Sequence, residues 1–365
     1  MTPTPNLFAI ATKELSQDAF FTWLFQWSNP ACAASNPTLH KCGQALLQLM
    51  FRDSSIQFKT GDIIGVDAGR QWDNVDVWIE VYLKDGRNIL VIIEDKVFSS
   101  EHSNQLERYK QQGIDYCNKE GYILNCVFLK TGSEPVSSLQ IIKEKGFAIV
   151  TRKDILQCLN PFKGSGSDTV DEFIDNLNNL EDAHNSYKLL PPNEWKGTSW
   201  VGFYQFIESR INIIKWHWVN NPRGGFWNLC LTWKGWQEVP VYMQIEEKRI
   251  CYKIALGEDE TGFDNSQTEI NKIQDYVYTT LMEYATQKDY SLLKRPNTFV
   301  HRGNYRTLAV VDAHQWLGDI QAPLQAENVL KNIKGILSFY NGFISHINKT
   351  SYDSAGIKVT FSDEE

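Results

Sequence analysis

The stretch WDNVDVWIEVYLKDGRNILVIIEDKV, residues 72–97, constrains this chain more than any other part of it. Val75, Val77, Ile79 and Val81 alternate with other residues, the period-two pattern of a strand with one face in a core. An oily run from Ile89 to Ile93 follows and reads as a buried strand. Between the two lies Lys84-Asp85-Gly86-Arg87, and Asp-Gly is a strong hairpin signal because the turn needs backbone angles with φ above zero. A chain holding this hairpin must build a sheet around it.

The flanking segments supply helices for that sheet. TKELSQDAFFTWLFQWSN (12–29) has Leu15, Ala19, Trp23 and Trp27 on one stripe, widened by Phe20, Phe21 and Leu24, and reads as an amphipathic helix. LHKCGQALLQLMF continues helically, and IQFKTGDIIGVDAG reads as a strand with a bend or turn. Residues 101–117 form a further predicted helix with Ser99, Ser100 and Ser103 as candidate caps. YILNCVFLKT is another buried strand, and FAIVTRKDILQCL a short strand followed by a helix. The expected class is α/β (α+β): a mixed sheet core flanked by helices, then a smaller α+β C-terminal domain.

NPFKGSGSD (160–168) gathers Pro, Gly and Ser and marks the expected domain edge, with 1–160 as core and 161–365 as connection plus second domain. Beyond it, residues 168–187 and GFYQFIESRINIIKW read as helices. FWNLCLTW, VPVYMQI and RICYKIAL read as a strand meander. Residues 266–287 and 325–346 read as helices, with TLAVVDA a strand between them.

Composition excludes several classes. The start lacks the basic and apolar regions of a secretory signal, and no apolar run approaches the roughly 20 residues of a membrane span; the expected location is the cytoplasm. The seven cysteines form no CxxC pair and have no histidines at zinc-ligand spacing, so reduced buried thiols are expected. Residues 1–185 hold 24 Asp/Glu against 17 Lys/Arg, and the remainder 20 against 19, so −7 of the net −8 lies in the first half. That balance argues against a large basic footprint there and suits a carboxylate cluster neutralised by a divalent metal.

The buried strand ends abruptly in Glu94-Asp95-Lys96. Alternation puts Glu94 and Lys96 on one face and Asp95 on the other. Asp76, Trp78 and Glu80 share a face of the preceding strand. If the hairpin sets Asp76 beside Glu94, two carboxylates and an ammonium converge. They can hold a divalent metal with the Asp95 main-chain carbonyl as third oxygen, and Lys96 beside a water or a developing phosphorane charge. The same triplet also fits a strand simply emerging into water.

Val75-Asp76-Val77, Glu94-Asp95-Lys96 and Gln105-Leu106-Glu107-Arg108-Tyr109, in that order, resemble the PD-(D/E)XK nuclease superfamily, in particular its RecB-like and related branches. The order helix, three-stranded meander, helix, strand is similar to that family's core over roughly residues 10–155. Val75 stands where the family name has proline. Asp73 rivals Asp76, but the apolar alternation favours 76. The resemblance implies a restriction-endonuclease-like core and metal-dependent phosphodiester hydrolysis. Asp76 and Glu94 would ligate Mg2+ or Mn2+ and Lys96 would act on the water or phosphate. Gln105 and Tyr109 would hold the lysine or touch the substrate backbone, and Glu14 would join from the first helix. Asp18 is a weaker substitute, expected to face solvent. Nucleic acid is the implied partner, DNA ahead of RNA, with a protein partner or oligomer also open and a defence setting a family-level expectation.

In the second half, seven of the twelve tryptophans lie between 195 and 236. Mixed with Lys215, Arg223 and Lys234 they suit either stacking on unpaired bases or the core of a sheet. Lys294, Arg295, His301, Arg302 and Arg306 form the most basic stretch, a candidate for phosphate contacts or a solvated loop. His217 and His314 read as structural. The glycines at 61–69 match neither GxGxxG nor a P-loop, which removes a nucleotide-binding enzyme of those types. Two readings remain: an active nuclease, and a non-catalytic binding or interaction module on a nuclease fold.

Overall fold

The structure is a computed structural model that describes residues 5–99, 104–222, 224–263 and 266–360. It divides into two compact units, Met1–Ala183 and His184–Glu365.

The first unit opens with α1 (Leu7–Ile10), α2 (Glu14–Gln26) and α3 (Pro37–Leu49). A meander of β1 (Ile63–Trp72), β2 (Val75–Leu83) and β3 (Asn88–Lys96) follows. Then come α4 (Gln105–Glu120), β4 (Ile123–Lys130), α5 (Val136–Glu144), β5 (Ala148–Thr151), α6 (Arg152–Leu159) and α7 (Asp168–Asn185). The strands lie in chain order, β1-β2-β3-β4-β5, with antiparallel pairing through β3 and parallel pairing from β3 to β5. The Asp85-Gly86 turn closes as its sequence requires. Gly86 has φ of 86°, the Leu83 N–H donates to the Arg87 carbonyl at 3.0 Å, and the Arg87 N–H donates to Asp85 at 3.1 Å. Asp73 and Asn74, with φ of 47° and 74°, make the preceding turn, so Asp73 is a turn residue rather than a rival to Asp76.

β3 lies in the middle of the sheet and is covered on both sides. Val91 and Ile93 pack with α2, α3, α6 and α7, whereas Leu90 and Ile92 pack beneath Leu106 and Tyr109 of α4 and Ile142 of α5. The expected edge at 160–168 falls inside this unit, because α7 inserts Val170, Phe173, Ile174 and Leu177 into its core. Phe20 stacks on Phe173 at 3.8 Å between ring centroids. The first helix is rotated from the expected stripe: Leu15 and Ala19 face out, while Phe20, Phe21, Leu24 and Phe25 are buried together with Gln17 and Asp18.

The second unit continues with α8 (Gly197–Glu208) and β6 (Lys215–Val219), the latter replacing the end of a predicted helix. After it come β7 (Phe226–Trp236), β8 (Val239–Glu246), β9 (Arg249–Ala255), α9 (Glu258–Thr261), α10 (Gln267–Gln287), β10 (Tyr305–Val311), α11 (Ala313–Trp316) and α12 (Ala326–Ile347). Its sheet is antiparallel throughout, in the order β10-β9-β8-β7-β6. One face carries Leu229, Val241, Met243, Ile245, Tyr252 and Ile254 into the core formed with the helices. Trp195, Trp200, Trp216 and Trp236 are buried in that core, so most of the tryptophan cluster is packing; Trp218 and Trp233 stay exposed. With its own five-stranded sheet and helices, this unit matches the first in extent rather than forming a smaller appendage. No helix among the described residues is long and apolar enough to cross a membrane.

Candidate active site

The last paired residues of the hairpin at its open end are Val77 and Ile93, so Asp76 and Glu94 stand one step beyond them on adjacent strands. The Asp95 N–H donates to Asp76 Oδ2 at 3.0 Å, which ties the acid to the neighbouring strand end. Lys96 Nζ lies 2.5 Å from Glu94 Oε1 and 3.6 Å from Asp76 Oδ2. The three side chains named by the hairpin pattern therefore do converge.

Their environment is costly for charge. The Glu94 side chain is 0% exposed. Neither of its oxygens accepts a well-directed hydrogen bond. Burial, followed by repulsion from Asp76, pushes the Glu94 carboxyl up to about 8, with Lys96 pulling against both. Burial would lower the Lys96 ammonium, but attraction to Glu94 and then Asp76 outweighs it and holds the lysine above its ordinary range. At neutral pH Lys96 is a fixed cation.

Asp95 points to the opposite face, as alternation requires. There Gln17 Nε2 donates to Asp95 Oδ1 at 2.5 Å, and Gln17 Oε1 accepts from the Thr131 hydroxyl at 2.8 Å. Asp18, expected in solvent, is 1% exposed and faces Asp95. Burial pushes Asp18 up to about 6 despite a hydrogen bond with Asp95, and complete burial raises Asp95 well above the carboxylate range, with Asp18 next in effect. After burial, the neighbouring Asp18 is the next cause that disfavours ionisation of Asp95.

Glu14 reaches the chain just past Lys96. Its Oε1 accepts from the Val97 N–H at 3.1 Å and from the Ser99 hydroxyl at 2.6 Å, so it fixes the exit of β3 and adds negative charge near Lys96. Ser99 is thus occupied by Glu14 and does not cap α4; Ser100 and Ser103 lie outside the described residues. Asn104, with φ of 55°, precedes α4 without a side-chain cap. On α4, Gln105 Nε2 donates to the Tyr109 hydroxyl at 2.7 Å, so the hydrogen bond these residues make is to each other. Burial raises the Tyr109 hydroxyl, and the charges of Glu94, Asp76 and Lys96 all reach it, which puts the helix beside the triad.

Lys130 was missed from sequence. It pairs in register with Lys96 on the parallel neighbour β4, is almost fully buried, and forms an ion pair with Glu134 at 3.1 Å. Burial lowers its ammonium below the ordinary lysine value. A lysine ending an apolar strand was the available signal, but parallel register is not written in either strand alone. Glu80, on the Asp76 face, is held by the Tyr82 and Tyr116 hydroxyls, each at 2.6 Å, and lies outside the triad.

Among the described residues no group of three or more His, Cys, Asp and Glu side chains forms a metal cluster. The donor set still suits a hard cation: two acidic side chains at the ends of adjacent strands, with only Lys96 against both. Outside the site, the basic stretch is largely tied internally. Arg306 is buried and donates to Asn271 and Gln274, Lys294 pairs with Asp312, and His301 with Asp275. Arg223 lies outside the described residues.

No curated protein and no solved structure matches this chain. The family model described as PD-(D/E)XK nuclease superfamily matches residues 5–188, about half of the chain and all of the sheet that carries Asp76, Glu94 and Lys96. By that match, the chain belongs to the PD-(D/E)XK nuclease superfamily.

Proposed function

We propose that the protein is a metal-dependent nuclease that hydrolyses phosphodiester bonds in nucleic acid, with Asp76, Glu94 and Lys96 as its working residues. The observation that carries this reading is the buried Glu94 carboxyl group, set beside Asp76 with the single Lys96 ammonium against both acids. Two acids sharing one lysine cannot both ionise there without cost unless a further cation joins them. Asp76 and Glu94 would hold Mg2+ or Mn2+ together with the Asp95 main-chain carbonyl. When bound, such a cation polarises a phosphoryl oxygen and makes a coordinated water more acidic.

The remaining chemistry belongs to the chain itself. Lys96, kept protonated by its acidic neighbours, is suited to stabilising charge that develops on the phosphate, and poorly suited to removing a proton. Glu14 fixes the segment after Lys96 and so helps set the ammonium's position. Gln105 and Tyr109 present an amide and a hydroxyl from the neighbouring helix, where they would touch the substrate backbone. DNA is placed ahead of RNA on the habit of the superfamily alone.

The test is cleavage of labelled single- and double-stranded DNA and RNA by the full-length protein, with Mg2+, Mn2+ or EDTA in parallel. Cleavage that needs metal and is lost in Lys96→Ala supports the proposal. A Lys96→Ala protein that cuts as fast as wild type overturns the mechanism. Tight binding without cleavage under every condition transfers the reading to the binding module on a nuclease fold.

A further inference from the structure

In the second unit, the face of the sheet turned away from the helices carries polar and aromatic side chains around a cavity of about 540 Å3, within the roughly 300–1,000 Å3 of ligand pockets. Register arranges them in rows. Trp233 pairs with Tyr242 and Tyr242 with Lys253; Lys215 pairs with Cys230 and Cys230 with Gln244; His217 pairs with Asn228. All eight of these residues line the cavity.

Three features select the chemistry of an occupant. Trp233 is 44% exposed and stacks on Tyr242, with centroids 4.4 Å apart and planes at 26°, so a supported aromatic surface faces the opening. Asn228 is 3% exposed, yet its Oδ1 accepts no hydrogen bond. A buried acceptor without a donor is unfavourable by about 1–3 kcal/mol, so an N–H or O–H group brought to Asn228 would be favoured. Lys215, His217 and Lys253 supply cationic or donor groups at the same cavity, while Glu246, buried below, is satisfied by Gln244, Arg249 and Lys253. A planar ring bearing an N–H and attached to an anion answers all three.

We propose that this pocket binds a nucleotide, with the base against Trp233, a base N–H on Asn228 Oδ1 and the phosphate toward Lys215. The same moiety is offered by a free nucleotide and by an unpaired residue of a nucleic-acid strand. The site goes beyond the proposed cleavage chemistry and does not depend on it, since it lies wholly in the second unit.

The experiment measures binding by the full-length protein in EDTA, where metal-dependent cleavage cannot contribute, using tryptophan fluorescence and calorimetry. The probes are AMP, CMP, GMP, UMP, adenosine, ribose 5-phosphate and single-stranded octanucleotides of A, C or T. Binding of a mononucleotide, roughly tenfold tighter than its nucleoside or ribose 5-phosphate, supports the proposal and identifies a free nucleotide as the source. Binding of octanucleotides alone supports it with a strand as the source. In either case Trp233→Leu and Asn228→Ala should each weaken binding roughly tenfold. Trp233 is exposed, so its substitution should fold even if that of Asn228 does not. No binding of any probe, equal affinity for ribose 5-phosphate and AMP, or affinity unchanged by Trp233→Leu overturns the proposal.

Discussion

At Glu94 the fold holds a carboxylate away from water beside a second acid, and a single lysine offsets both. Asp76→Ala or Glu94→Ala should abolish metal-dependent cleavage while leaving far-UV circular dichroism unchanged. Lys96→Ala should retain Mn2+ binding by calorimetry and lose turnover by at least about 100-fold, the usual scale for removing a charge that stabilises a transition state. The neighbouring Asp18 and Asp95 do different work on the opposite face. The Gln17 bonds to Asp95 and Thr131 tie α2 to the end of β3 and to the residue after β4. Sequence alone put Asp18 in solvent because a lone aspartate on a helix is best hydrated; the structure instead buries it facing Asp95.

Helix and strand junctions give predictions of another kind. At the start of α6, Asp154 accepts from the Thr151 N–H at 2.8 Å and from its hydroxyl at 2.6 Å, and also pairs with Arg52. Burial raises the Asp154 carboxyl, but these partners together hold it below the ordinary value. A depressed acid stabilises the fold above its unfolded pKa of about 4, and that contribution is lost as pH falls through the lower folded value. Asp154→Asn should therefore cost about 1 kcal/mol in urea unfolding at pH 7, with the difference from wild type shrinking toward pH 2–3. Between α2 and α3, alanine at Gly43 would gain about 1 kcal/mol in helix propensity. Its Cβ, however, would lie 2.5 Å from the Leu24 carbonyl oxygen and 2.8 Å from the Ser28 nitrogen, both main-chain atoms that cannot step aside. Overpacking of about 1–3 kcal/mol should win, so Gly43→Ala should lower the thermal midpoint of unfolding.

For the molecule as a whole, α7 decides where the first unit ends. A chain stopping at residue 185 keeps Val170, Phe173, Ile174 and Leu177 in the core, whereas one stopping at 160 exposes the surface they cover. The longer fragment should unfold cooperatively in circular dichroism and the shorter should not. The break placed at 160–168 from its Pro, Gly and Ser content is a true turn, and composition does not reveal that the next helix folds back. By itself the sequence determined the hairpin, its Asp85-Gly86 turn and the alternation that turns Asp76, Glu94 and Lys96 to one face, because local backbone sterics and period-two patterning are short-range. It also carried most of the order of strands and helices, but not α5 or β6. Only the tertiary structure decided the rest. The parallel register sets Lys130 beside Lys96, the rotation of α2 buries Asp18, and the open face of the second sheet gathers Asn228, Trp233 and Lys215 around one cavity. Each depends on contacts between residues distant in the chain, and no local pattern fixes the pairing or the packing angle that creates them.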